Sequence, residues 1–120
     1  MKSNEVLSKF FEARDVIHYA HFNTTSFAEH KALGEFYEGW LSLVDSFVET
    51  YQGRYQRIVG QINVSAESGA DSVAYLNELR TFVSTEAMGV IVPSIDIDLA
   101  NIIADMLGLI NHTLYLLTLK

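Results

Sequence analysis

The chain has 120 residues, enough for one domain (1–120) with its own core, and a formal net charge of −7 that argues against a nucleic-acid binder, which needs a basic patch. It has no cysteine, which excludes disulfides, thiolate metal sites and cysteine nucleophiles. No apolar run reaches the ~18 residues of a membrane span and no signal-peptide stretch opens the chain, so a soluble, unexported protein without membrane contact is expected.

A single proline and 49% hydrophobic residues point to long uninterrupted helices. Leu7, Phe10, Arg14, Ile17 and His21 recur at spacings of three and four and predict a first helix over about residues 3–22. "NTTS" breaks the pattern, and Ser26 with Glu29 three residues on is a capping box that opens a second helix. Its expected seam is His30, Gly34, Tyr37, Leu41, Val44, Val48, Tyr51 and Tyr55, with Gly53 fraying the end. Residues 57–70 have no helical period. Asp71 or Ser72 caps a third helix with the seam Leu76, Leu79, Val83 and Val90, ending at Pro93. Ser94 or Asp96 opens a fourth, through Leu99, Ile102, Met106, Leu109 and Leu116 to the C-terminus.

The first and last pairs of helices are joined by short turns, so each pair is an antiparallel hairpin. Between them lie about 15 residues which, at about 3.3 Å each, can run the length of a bundle. Two hairpins joined by one long crossover is the ferritin-like form of an all-α four-helix bundle. The alternative is a simple up-and-down bundle with a long loop. Ile58, Val59, Ile62 and Val64 favour the crossover, because they give that segment apolar groups to bury.

His21, His30, Asp45 and Glu49 are all metal-ligand types. On one helix, Asp45 and Glu49 lie about 60° and 100° around from His30, on one broad face. His30 and Asp45 are nonetheless about 22 Å apart along the axis. Ligand bonds are near 2 Å, so one chain cannot close the site. Two copies can, if the second helix pairs antiparallel with itself about an axis near Glu38–Gly39–Trp40. His30 of each then faces Asp45 and Glu49 of the other. Gly34 and Gly39 suit such a close approach, and Trp40 suits the interface. Without thiolates, iron, manganese or zinc are the metals to expect.

The same residues carry a resemblance. "HFN" at His21–Asn23, His30, and "DSFVE" at Asp45–Glu49 are similar to the pattern of the Dps family of mini-ferritins, over roughly the first half of the chain. The resemblance implies Fe(II) ligated by His21 and His30 of one subunit and Asp45 and Glu49 of its partner. It further implies ferroxidase activity and a homo-oligomer through the second helix. Where that family has an aspartate four residues after the second histidine, this chain has Gly34; Glu35, about 100° further round, substitutes only if the helix is locally distorted. "ETYQGRY" and "NHTLYLLTLK" resemble small ferritin-like proteins of tailed phages. That implies the cytoplasm of an infected bacterium or a virion as location, and other phage proteins as partners. The second reading is therefore a structural or interaction protein, such as a virion component, on a ferritin-like scaffold without metal chemistry.

Other ligand types read more simply. Arg14 and His18 suggest a salt bridge or a hydrogen-bonded core histidine, and Glu86 an ion pair to Arg14 or Arg80. Asp98, Asn101, Asp105, Gly108 and His112 suggest the solvated face of the last helix.

Overall fold

Helix α1 (Ser3–Asn23) buries Leu7, Phe10 and Ile17 as its periodicity predicts, together with Val6, Ala13 and Ala20 on the same face. Helix α2 (Phe27–Arg54) starts where the capping residues place it, with Ser26 Oγ accepting from the Glu29 N–H at 3.2 Å. Helix α3 (Ser72–Phe82) is capped by Asp71, whose carboxylate accepts from the Ala74 N–H. It continues into a π-helical turn (Val83–Ala87) and a 3₁₀ turn (Met88–Val90), so the regular helix stops well before Pro93. Helix α4 (Ile97–Leu116) completes an all-helical chain with no strand among the described residues. The protein is seen here in a computed structural model that describes residues 1–119.

The face that α2 turns inward differs from the expected seam by one residue, or about 100°. Leu33, Phe36, Trp40, Val44 and Phe47 are buried, while Gly34, Tyr37, Leu41 and Val48 form a half-buried flank. Both sets have helical spacing. The aromatic set wins because burying Phe36, Trp40 and Phe47 removes more apolar surface from water than the flank does. Trp40 is completely buried: Phe10 meets it edge-on at 5.4 Å, Phe36 stacks on it at 5.3 Å, and its Nε1–H donates to the Phe10 carbonyl at 2.9 Å. It is a core residue of its own chain, not an interface anchor. The two glycines face other helices of their own chain, Gly34 toward His21 of α1 and Gly39 toward α4. A Cβ on Gly39 would lie 3.1 Å from Leu109 of α4, so that glycine serves an approach within the chain.

Contacts between named residues give the chain path. Gly39 against Leu109, and Arg54 against Asp96, make α2 and α4 antiparallel. Lys9 bridges Glu12 (2.8 Å) and Glu78 (3.0 Å), and the Tyr75 hydroxyl donates to Glu12, so α1 and α3 are antiparallel too. Burial first, then that bond to Glu12, hold the Tyr75 hydroxyl protonated well above the usual phenol range. Ser72 donates to Glu29, so α2 and α3 start at the same end and run parallel. The connection between them, residues 55–71, travels back along α1. Asn4 donates to the Gln61 carbonyl and Ser8 Oγ accepts from the Asn63 N–H, and further on the segment borders Glu12 and Val16. Its apolar residues do not behave as expected. Only Ile58 packs against the core, while Val59 is 74% exposed and Ile62 and Val64 are exposed as well. The segment is tied to α1 through backbone and polar side chains, which leaves those residues outside.

At the far end of α2, Asp96 is buried and accepts three bonds. Arg54 Nε, the Tyr55 hydroxyl and the Val92 N–H converge on its carboxylate, and Arg54 also donates to the Ile95 carbonyl. Arg54 foremost, then Tyr55 and Val92, hold the Asp96 carboxyl down to about 2. Its folded value lies below its unfolded one, so the native state binds fewer protons in that interval. The bonds to the Asp96 carboxylate contribute their full stability above about pH 4 and lose it as pH falls toward 2. Asp96→Asn should therefore lower stability at neutral pH and flatten the loss between pH 4 and 2, read from urea midpoints across pH. An unchanged acid profile would show that Asp96 is not the titrating group.

Candidate functional site

His21 ends α1 and His30 opens α2, and the short turn brings them face to face. Their rings stack at 3.8 Å between centroids, 16° from parallel. Each Nδ1 lies against the other residue's backbone: His21 Nδ1 is 2.6 Å from the His30 carbonyl, and His30 Nδ1 is 2.8 Å from the His21 carbonyl. A carbonyl only accepts, so both Nδ1 atoms carry hydrogen. In the neutral ring Nε2 is then the lone-pair nitrogen, which is the form of histidine that ligates metals with its other nitrogen oriented by the backbone. His18 extends the group, stacking on Tyr37 at 3.8 Å and lying 4.6 Å from Phe22. The i, i+3 spacing of His18 and His21 hinted at this, whereas Tyr37 gave no sign of it. Arg14 pairs with its neighbour Asp15 at 2.9 Å. Glu86 is exposed on the π-helical turn, and Arg80 donates to Asn77 and Asn111, so the ion pair expected for Glu86 does not form with either arginine.

Gly34 has a specific reason to be glycine. A Cβ built there would lie 2.9 Å from His21 Cε1, closer than real contacts allow. The His21 ring occupies the space above Gly34, where any side chain at that position would project. Helix α2 is unbroken through this turn, so it lacks the distortion that Glu35 would need to fill the same place, and Glu35 is exposed.

Asp45 and Glu49 sit one turn apart on the exposed face of α2, and neither has an ion-pair partner among the described residues. The chain thus brings His21 to His30 and Asp45 to Glu49, but not one pair to the other. No group of three or more His, Asp or Glu residues that could hold a metal forms among the described residues. That separation is the one the helical rise requires. The stack adds a constraint. An imidazole lone pair lies in the ring plane, and near-parallel planes 3.8 Å apart do not meet at a point close to both Nε2 atoms. One ion shared by both rings would require one ring to leave the stack and give up its carbonyl bond.

These features define an all-α protein of four helices with a histidine pair at one helical turn and a carboxylate pair on an open helix face. The chain belongs to a family of unknown function (DUF5856), whose model matches residues 21–117. No curated protein and no solved structure matches it.

Gly34→Ala should separate the roles of this glycine. Alanine gains about 1 kcal/mol of helix propensity, while displacing the His21 ring forfeits its hydrogen bond to the His30 carbonyl and its stacking on the His30 ring, about 1 kcal/mol each. The net expectation is a loss of about 1 kcal/mol in the parent chain but a gain of similar size in a His21→Ala background. Urea unfolding of the four proteins checks it, and equal effects in both backgrounds would remove the steric role of Gly34.

Proposed function

We propose that this chain is a ferritin-like four-helix bundle, joined by the crossover along α1, that pairs with a second copy across α2 and binds Fe(II) at that contact. His21 and His30 from one subunit and Asp45 and Glu49 from the partner supply the donors. Fe(II) is the substrate, and imidazoles with carboxylates favour the Fe(III) that oxidation by dioxygen or peroxide yields. The observation that carries this reading is the reciprocal Nδ1–H to carbonyl bonding, which leaves both Nε2 atoms as acceptors. Because the ring planes are nearly parallel, the reading requires an ion on each imidazole rather than one between them. Asp45 and Glu49 support it by being exposed, adjacent and unneutralised, which is costly to pair across an interface unless a cation lies between.

A second reading is a structural or interaction protein on the same scaffold, without metal chemistry. It is favoured by the His21–His30 staple itself, which satisfies one nitrogen of each ring internally, and by Gly34, whose place in the stack needs no ion.

The two separate on one experiment. The parent chain and an Asp45→Ala, Glu49→Ala variant are titrated anaerobically with Fe(II), with mass in solution measured alongside. The first reading expects tight binding by the parent and its loss in the variant. A parent that ignores Fe(II), Mn(II) and Zn(II) while keeping its assembly establishes the second.

A further inference from the structure

Helix α4 is unusually apolar for what it buries. It is the one helix among the described residues long and apolar enough to cross a bilayer by length and composition, with a mean hydropathy of 1.2 over its most apolar 18 residues, yet only 28% of that stretch is buried. Its core face is Leu99, Ile103, Met106, Ile110 and Thr113. On the opposite side, Ile97, Asn101, Ala104, Gly108, Asn111 and Tyr115 are all exposed. At about 100° per residue they fall within about 40° of one line, spaced four, three, four, three, four.

That stripe is the same read from either end. It has a large apolar residue at each tip (Ile97 and Tyr115, each 61% exposed), an asparagine next in, and a small residue on either side of the centre. We infer that this face is an antiparallel two-fold contact with a second copy of the chain. Centred at the turn of Met106, Ile97 meets the partner's Tyr115, Asn101 the partner's Asn111, and Ala104 the partner's Gly108.

Three further observations fit that occupant. A Cβ on Gly108 would meet nothing within 4 Å, so the centre of the stripe is open to a second helix at close range. Arg80 Nη1 donates to Asn111 Oδ1 at 2.9 Å, and since arginine only donates, the amide is fixed with Nδ2 free to donate to the partner's Asn101. In an antiparallel pair like flanks meet, which sets Asp98 beside the partner's His112 twice over, a complementary pairing of acid and imidazole on either side of the two Asp105 carboxylates at the axis. Half-buried Leu107 lies on the other flank next to the axis, beside its own copy. A bilayer fits the same face poorly, because Asp98, Asn101, Asp105, Asn111 and His112 would have to enter hydrocarbon. The contact does not depend on α2. If both contacts form, two different two-fold axes build an assembly larger than a dimer.

The chain lacks cysteine, so a single introduced thiol reports one contact. Asp105 lies beside the inferred α4 axis and Glu38 beside the proposed α2 axis. Asp105→Cys and Glu38→Cys are each treated with a short bis-maleimide, with and without Ala104→Arg. Gly108→Arg is a second disrupting variant, and helicity is checked by circular dichroism. The expected result is a cross-linked dimer of Asp105→Cys that falls about tenfold or more with either arginine, the equivalent of about 1.4 kcal/mol. Glu38→Cys reads the α2 contact separately and should not respond to Ala104→Arg. The inference is overturned if Asp105→Cys gives no dimer, if both arginines leave its yield unchanged, or if the parent is monomeric and binds zwitterionic vesicles through this face.

Discussion

The orientation of α2 depends on Trp40. Its ring packs against Phe10 and Phe36, with Phe47 edge-on to Phe10 behind them, and its N–H has one acceptor, the Phe10 carbonyl. A buried indole needs both its apolar surroundings and that acceptor, and only one rotation of the helix supplies them together. With that rotation set, Asp45, Glu49 and Glu35 face solvent, His30 reaches the end of α1, and Gly39 faces α4.

Both ends of α2 are then tied by polar groups of different kinds. At its start the histidine pair joins it to α1 through two backbone carbonyls, a contact that costs little to desolvate at an exposed turn. At its end the buried Asp96 carboxylate gathers Arg54, Tyr55 and a backbone N–H, so its charge is matched where water is excluded. The aromatic core between these ties sets the helix's rotation, and the ties hold its ends to α1 and α4.

The outer surface is built on a different principle. The exposed face of α2 carries acid with little to neutralise it, whereas the outward face of α4 is apolar at its tips, small at its centre and polar at intervals between. A self-complementary surface of the second kind is a geometrical property of six residues on one helix, and it appears only once the core face of α4 is known.

Much of this was legible in the residues. Helix starts followed from Ser26, Asp71 and the spacing of apolar residues, because caps and periodicity are local and the chain obeys them without reference to distant parts. The length of the long connection allowed a path back along the bundle but left a simple loop open, and the apolar residues that favoured the crossover are mostly exposed. The separation of His30 from Asp45 and Glu49 did follow, since helical rise is the same in every helix. The inward face of α2 did not follow. Leu33, Phe36, Trp40 and Phe47 alternate with Gly34, Tyr37, Leu41 and Val48 one residue along, and both sets have the same period. Only packing against Phe10 of α1 chooses between them. The stacking of His21 on His30 above Gly34 was equally hidden, because it depends on how two helix ends meet across a turn. Local pattern therefore determined which segments are helices and how far apart the donors must lie. The tertiary structure decided which sides of those helices meet, because that choice rests on contacts between residues remote in sequence.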